Sequence, residues 1–167
     1  MTKSALASVP ASVFALLLSA LAASAFAAET APEFSLPAVN AQGDVKLSDF
    51  KGRVVYLDFW ATWCPPCLKS FPWMNTLQDR YKEQGLSVVA VGVDRKRELI
   101  EEFIKQTEPN FTVVQDDKGE VAKAYKLRGM PTSYLIDRNG NIVLTHMGFR
   151  TKDQDKLEAE IKTLLEK

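Results

Sequence analysis

The sequence predicts an α/β fold in which a mixed central sheet is flanked by helices on both faces. From residue 54 onward, short strands made almost entirely of apolar residues alternate with amphipathic helical patterns. This alternation is typical of a sheet that helices cover on both sides. An Asn139-Gly140 pair between two later strand patterns predicts a hairpin, which makes the sheet mixed rather than wholly parallel.

The first residues have the pattern of an export signal. Lys3 precedes an uncharged stretch with an apolar centre, and residues 25–27 (Ala-Phe-Ala) fit the rule for cleavage before Ala28. A stretch of this length is also long enough to remain as a membrane anchor. We therefore expect residues 1–27 to be a signal peptide or an uncleaved anchor, and residues 28–167 to form a single domain in the periplasm.

The elements after the signal can be predicted from periodicity and turn residues. An N-terminal β-hairpin extension is expected first, with Gly43 supplying the positive φ of its turn and Lys51-Gly52 forming a second turn. Gly85 is expected to close the first long helix. The predicted elements are strands at 34–39 and 45–50, a strand at 54–61, a helix at 64–84, a strand at 86–94, a helix at 97–106, a strand at 111–116, a helix at 119–129 with Gly129 as its C-cap, a hairpin at 132–148 and a helix at 152–167.

The charge balance excludes one broad class of partner. The chain has 21 Lys and Arg residues against 21 Asp and Glu residues, without a run of basic residues. This balance provides no electrostatic basis for binding nucleic acid or a membrane surface. We expect a monomer whose contact with a membrane depends on the N-terminal segment remaining uncleaved.

Both cysteines of the chain lie in the stretch ATWCPPCLKSFP, at residues 61–72. A disulfide between Cys64 and Cys67 would close a very short loop, and the stabilisation from a cross-link grows with loop length, so a purely structural role is disfavoured. Cys64 is predicted at the start of a helix, where partial positive charge favours a thiolate. The pair is therefore predicted to exchange disulfides, with Cys64 attacking a substrate and Cys67 resolving the mixed disulfide.

Three residues near the cysteines are predicted to adjust this chemistry. Pro65 and Pro66 lack an N–H, so fewer backbone donors stabilise the Cys64 thiolate, which favours a reductant over a strong oxidant. Asp58 lies in the preceding strand on the face predicted to be buried, where it could exchange a proton with Cys67. A salt-bridged structural Asp58 is the alternative, because buried carboxylates are often paired.

The segments APEFSL, LSDFKGRVVYLDFWATWCPPC and GMPTSYLID together resemble the TlpA/ResA group of exported thiol-disulfide reductases, from about Ala31 onward. The resemblance implies a thioredoxin fold with the hairpin extension and a central inserted strand and helix. It implies a protein-disulfide reductase without a cofactor, acting in cytochrome c maturation or copper-site assembly and recycled by a membrane thiol electron donor. It further implies that Pro131 is cis and faces the cysteines. Residues expected to contact the substrate are Trp63, Pro65, Pro66, Met130 and Pro131.

The sequence departs from the pattern of related proteins at two positions. Ser70 stands where many members of the group carry a Glu, and Ala90 stands where thioredoxin carries a Lys that pairs with the buried aspartate. Proton handling would then depend on Asp58 alone. Ala61 stands where peroxiredoxins need a Thr or Ser three positions before the reactive cysteine, which excludes that class.

Two alternative functions remain open from the residues. In one, the protein is a periplasmic Cu(I) metallochaperone in which Cys64, Cys67 and His146 are the ligands, since two thiolates and an imidazole suit Cu(I). In the other, the cysteine pair only stiffens a loop of a binding module. Loss of disulfide reduction on Cys64→Ser would distinguish the reductase from both.

Overall fold

The computed structural model describes residues 29–167, so the predicted export signal lies outside the described residues. No helix in the described range is long and apolar enough to cross a bilayer. The helices and strands are β1 Glu29–Thr30, β2 Ser35–Pro37, β3 Asp44–Lys46, β4 Val54–Trp60, α1 Pro65–Tyr81, β5 Leu86–Gly92, α2 Arg97–Thr107, β6 Thr112–Gln115, α3 Glu120–Ala124, β7 Thr132–Ile136, β8 Asn141–Met147 and α4 Gln154–Leu165.

The main sheet is built around β4. Its six strands have the order β1-β8-β7-β4-β5-β6. Strands β4, β5 and β6 are parallel because α1 and α2 return the chain to the same edge, whereas β7 is antiparallel to β4. The predicted hairpin joins β7 to β8, and Gly140 in its turn has a φ of 86°. The predicted mixed sheet is therefore confirmed.

Side chains of β4 alternate between two apolar clusters, one on each face of the sheet. Tyr56 and Trp60 lie in the cluster formed with α1, α2 and α4. Leu57 and Phe59 lie in the opposite cluster, formed with α3 and the N-terminal segment. All residues of β4 are buried, as expected for a central strand covered on both faces. By the same alternation, Asp58 lies on the α1 face.

The N-terminal hairpin extension is present and contacts β6. Strands β2 and β3 are antiparallel, with Gly43 at a φ of 79° in the turn before β3. Ala38 forms an isolated bridge with Val114 of β6. The side chain of Asn40 donates to the carbonyl of Phe111 at 2.7 Å and accepts from the amide of Val113 at 3.0 Å. These contacts fasten the extension to the side of the sheet.

The helix predicted over residues 119–129 is shorter than expected. It ends at Ala124, and Lys126 takes a left-handed conformation with a φ of 54°, so the prediction that Gly129 caps this helix is wrong. Tyr125 explains the early end, because its ring lies in the second cluster and its hydroxyl donates to the carbonyl of Pro32 at 2.8 Å.

The second strand of the hairpin extension is also shorter than predicted. It ends at Lys46, and Leu47–Phe50 form a 3₁₀ helix instead. The Asp49 carboxylate accepts a hydrogen bond from the Lys46 amide at 2.8 Å, which starts the turn, and the turn buries the Leu47 side chain. A local side-chain bond of this kind competes with strand pairing.

Candidate active site

The loop of residues 61–64 joins β4 to α1 and carries the first cysteine. The amide and hydroxyl of Thr62 both donate to the buried carboxylate of Asp94, at 2.9 and 2.7 Å. The side chain of Gln115 in turn donates to the Asp94 carbonyl at 2.9 Å. The loop is thereby tied to the ends of the neighbouring strands, which holds Cys64 in place.

Asp94 is a site residue that the sequence analysis missed. It follows β5, the strand that runs parallel to β4, and the carboxyl ends of parallel strands meet at one edge of a sheet. A polar residue directly after an apolar strand was therefore a signal that could have identified it.

Cys64 and Cys67 are joined in a disulfide, with their Cα atoms 5.3 Å apart. Cys64 is the N-cap residue of α1, and Pro65 and Pro66 fill its first two helical positions, where a missing N–H costs little. The positive end of the helix therefore lies at the Cys64 sulfur. Cys64 is 5% exposed and Cys67 is 0% exposed, so Cys64 is the sulfur that a substrate can reach.

In the reduced protein, we expect iodoacetamide to label Cys64 roughly tenfold faster than Cys67 at neutral pH. The helix terminus favours the Cys64 thiolate, and Cys67 is fully buried. A labelling time course followed by peptide mass spectrometry measures both rates in one sample. Equal rates at the two cysteines, or a Cys64 rate no higher than that of free cysteine, would contradict the assignment of Cys64 as the attacking thiol.

The loop before β7 lies beside the cysteine loop. Thr132, the first residue of β7, pairs with Phe59 near the end of β4, so Met130 and Pro131 come just beyond that edge of the sheet. The Met130–Pro131 peptide bond is cis, as the resemblance implies. The amide of Gly148 donates to the Pro131 carbonyl at 2.7 Å, which ties the loop to the end of β8.

The residues predicted to bind substrate differ in their exposure. Trp63 is 66% exposed, and Pro65 beside it is also exposed. Pro66 and Met130 are half-buried, and Pro131 is buried. An indole ring that remains in solvent next to a reactive sulfur can contact apolar side chains of another protein.

Asp58 is buried in the middle of β4, with 1% of its surface exposed. One carboxylate oxygen accepts a hydrogen bond from the hydroxyl of Ser133 at 2.7 Å, and the other has no partner among the described residues. Burial raises the pKa of Asp58 to about 7, and the hydrogen bond from Ser133 partly opposes this rise. A carboxyl group with such a pKa can take and give a proton near neutrality.

Ser133 and Tyr56 surround Asp58 and were not identified from the sequence. The Tyr56 hydroxyl donates to the Ser133 hydroxyl at 2.7 Å, and all three side chains are buried. Ser133 was detectable in principle, because the alternation of β7 places it with Leu135 on the face that β4 shares with α1. A hydroxyl in such an apolar position needs a hydrogen-bond partner.

The structure places both positions at which the sequence departs from related proteins. Ala90 lies directly opposite Asp58 in the register of β4 and β5. Ser70 is buried in α1, and its hydroxyl donates to the carbonyl of Cys67 at 2.7 Å. Neither side chain titrates near neutrality, so neither position can exchange the proton of Cys67.

His146 does not join the cysteines. It lies on β8 opposite Ser133, two strands away from β4, and its Nε2 is 3.8 Å from an Asp153 carboxylate oxygen. Within the part of the chain that the structure describes, no three His, Cys, Asp or Glu side chains group closely enough to hold a metal ion. The Cu(I) ligand set of Cys64, Cys67 and His146 is therefore wrong, because β7 separates His146 from the strand that leads to the cysteines.

Sequence comparisons agree with this geometry. The Redoxin family matches residues 26–162. The thiol-disulfide oxidoreductase ResA of Bacillus thuringiensis subsp. konkukian is 41% identical over 120 residues, which cover 72% of this chain and 68% of that protein. ResA of Geobacillus kaustophilus is 38% identical over 124 residues, which cover 74% of this chain and 71% of that protein.

Solved structures give the same result. A Chlorobium tepidum structure assigned as thiol:disulfide interchange protein DsbE has a TM-score of 0.80 and 51% identity, and the match covers 83% of this chain and 96% of that one. StoA from Bacillus subtilis has a TM-score of 0.66 and 30% identity, with 77% and 96% covered. The chain therefore belongs to the Redoxin family and is a thiol-disulfide oxidoreductase of the ResA and DsbE type, built on a thioredoxin-like fold.

Proposed function

We propose that this protein is an exported reductase of protein disulfides that works through a mixed disulfide at Cys64. The observation that carries the proposal is the placement of Cys64 at the positive end of α1, with the buried Cys67 one turn further along the helix. This placement activates the more accessible sulfur and keeps the second sulfur within bonding range.

The reaction transfers two electrons from the reduced cysteine pair to the substrate. The Cys64 thiolate attacks one sulfur of the substrate disulfide, which forms a mixed disulfide and releases the other sulfur as a thiolate. Cys67 then attacks Cys64, which breaks the mixed disulfide, releases the second substrate thiolate and forms the Cys64–Cys67 disulfide seen in the structure. The released thiolates take protons from water.

Asp58 accepts the proton that Cys67 must lose before it attacks. Cys67 is fully buried, so water is a poor acceptor for that proton, and the Asp58 side chain lies on the same face of β4 as the cluster that contains Cys67. With its pKa raised to about 7 by burial, Asp58 is ionised often enough at neutral pH to accept a proton and basic enough to hold it.

The surface around Cys64 supports a protein as the substrate. Trp63 and Met147 are large apolar side chains that remain more than half exposed. Met147 approaches Gly129, next to the loop of Met130 and Pro131, so apolar contacts flank that loop. Exposed apolar groups of this size at a reactive site are typical of a docking surface for another chain.

The cellular setting of the proposal follows from the sequence. Residues 1–27 direct the chain to the periplasm, where it acts as a monomer, and a membrane thiol donor reduces its disulfide after each turnover. The substrates are disulfides of proteins in cytochrome c maturation or copper-site assembly. This setting is supported by the export-signal pattern and by the resemblance to the TlpA/ResA group.

We expect the reduction potential of the cysteine pair to lie nearer −270 mV than −120 mV, the range of this fold. Pro66 occupies the second helical position, where other residues would direct an N–H at the N-cap side chain. The lack of that donor makes the thiolate less stable and the dithiol a stronger reductant. Equilibration with glutathione buffers followed by alkylation and mass spectrometry measures the potential.

Pro66→Ala should move the potential upward by roughly 30 to 60 mV, because one donor to the thiolate is restored. Pro72→Ala is the matched control, since Pro72 lies inside the same helix but away from its N-terminus. A wild-type potential near the oxidising limit would contradict the reductase assignment. Equal shifts in the two variants would contradict the role given to Pro66.

A further inference from the structure

Asp58 lies in a row of directly paired residues that crosses four strands of the sheet, and this row is called the rung below. Ala90, Asp58, Ser133 and His146 are successive partners across β5, β4, β7 and β8. Directly paired residues project from the same face of a sheet, so all four side chains leave the face that α1 covers. The polar side chain in contact with Asp58 on this rung is Ser133.

The two hydrogen bonds that lead from Tyr56 through Ser133 to Asp58 have one direction. Tyr56 uses its single hydroxyl proton to donate to Ser133 at 2.7 Å, so the Ser133 proton is free to reach Asp58, also at 2.7 Å. Burial, with the nearby Asp58 carboxylate, raises the pKa of Tyr56 above its ordinary value. Tyr56 therefore keeps its proton at every pH at which the enzyme works, and the direction of these two hydrogen bonds does not reverse.

We infer that Ser133, with its hydroxyl oriented by Tyr56, is the positioning residue that holds the Asp58 carboxyl for proton exchange with Cys67. This inference rests on the proposed function, which makes Asp58 the proton acceptor. The neutral hydroxyl of Ser133 on β7 makes the contact with the carboxyl, and Tyr56 on β4 orients that hydroxyl. The opposite position on β5 carries only the methyl group of Ala90. A neutral donor favours the carboxylate less strongly than a cation does.

The test must distinguish the effect of this carboxyl from the effects of other ionisable groups near it. Cys64 and Cys67 face this side of the sheet from α1. His146 lies one strand beyond Ser133, with Asp153 beside it. The His146→Gln background removes this imidazole, so any shift that persists in it does not originate from His146.

The test is the pH profile of mixed-disulfide resolution, measured by stopped flow with a peptide disulfide and reduced protein. We expect Ser133→Ala to move the midpoint of the profile upward by about one pH unit, since a donor to the carboxylate is lost. Tyr56→Phe should give a smaller upward shift, and Ser133→Thr should restore the wild-type midpoint. The shift should persist in the His146→Gln background.

Two matched variants control for the loss of a buried hydroxyl. Ser87→Ala removes a buried strand hydroxyl that contacts Arg53, and Tyr134→Phe removes one that donates to the Tyr125 carbonyl at 2.6 Å. Neither contacts Asp58, so neither should move the midpoint. If Ser133→Ala lowers the rate equally at every pH, or shifts the midpoint no more than Ser87→Ala, Ser133 is only structural and the inference is overturned.

Failure of the inference can be distinguished from failure of the proposed function. Titration of the Asp58 carboxyl by ¹³C NMR in wild type and in Ser133→Ala reports the hydrogen bond without any turnover. An unchanged midpoint there overturns the role of Ser133 even if Asp58 is essential. A shifted midpoint with rates that do not follow it shows that Ser133 holds Asp58 while Asp58 does not carry the proton. That result overturns the inference and the role of Asp58 as proton acceptor, whereas the reductase assignment itself fails only if Cys64→Ser keeps its activity.

Discussion

Replacing Cys64 with serine is expected to abolish reduction of insulin disulfides, leaving only the rate that dithiothreitol gives without enzyme. The first step needs a thiolate that can attack a disulfide sulfur, and a serine hydroxyl at the same N-cap position does not ionise in the accessible pH range. The loss should be complete, because the fully buried Cys67 cannot replace Cys64 at the surface. Turbidity of the insulin B chain provides the measurement.

Cys67→Ser is the matched control for this variant. It keeps the attacking sulfur at Cys64 and removes the sulfur that resolves the intermediate, so a covalent complex with a substrate protein should accumulate. Non-reducing electrophoresis would show it as a band that disappears with excess dithiothreitol. Residual turnover by Cys64→Ser, or a stable complex formed through Cys67 in that variant, would assign the attacking role to the wrong cysteine.

Replacing Asp58 with asparagine should slow resolution of the mixed disulfide by about a hundredfold at pH 7, the lower range for loss of a general base. Burial raises the pKa of Asp58 to about 7, so the wild-type rate of resolution should rise with pH through that region as the carboxylate forms. The side-chain amide of the Asp58→Asn variant cannot ionise, so this variant should show a rate without that rise. Stopped-flow measurement of resolution from pH 5 to pH 9 checks both expectations.

The same variant should change how stability depends on pH. Because the pKa of Asp58 is raised from 3.8 to about 7 on folding, the protonated form favours the native state, and its contribution is fully present below pH 3.8. That contribution is lost as the pH rises to about 7, by up to about 4 kcal/mol of unfolding free energy. Denaturation with urea at several pH values should show this loss in the oxidised wild type and not in Asp58→Asn.

Unchanged kinetics in Asp58→Asn would exclude Asp58 as the proton acceptor. If the unfolding free energies of the wild type and of Asp58→Asn depend on pH in the same way, ionisation of Asp58 does not destabilise the folded protein. The two readouts are separate, because a carboxyl can be buried and titrate near pH 7 without taking part in the reaction. Slower resolution together with a lost pH dependence is the result that supports the proposal.

The local geometry of the cysteine site could be predicted from the sequence. The spacing of Cys64 and Cys67, the prolines between them and the apolar strand before them all act over a few neighbouring residues, and the structure has them as expected. The burial of Asp58 followed from strand alternation in the same way. These features depend on short-range geometry, which the order of residues determines directly.

The contacts that hold the site in place could not be predicted to the same degree. Ser133 reaches Asp58 across 75 positions of the chain, and Asp94 reaches Thr62 across 32. Such pairs depend on which strands become neighbours and in which register, which no local pattern specifies. The early end of α3 has the same origin, because Tyr125 leaves the helix to reach Pro32 on the N-terminal segment.

The attachment of the N-terminal extension to β6 has a consequence for solubility. A strand at the edge of a sheet has unpaired amide and carbonyl groups. These groups can pair with the same strand of another molecule, which leads to aggregation. Here Ala38 bridges to Val114, and the Asn40 side chain occupies backbone groups of Phe111 and Val113. The extension thus shields this edge from self-association.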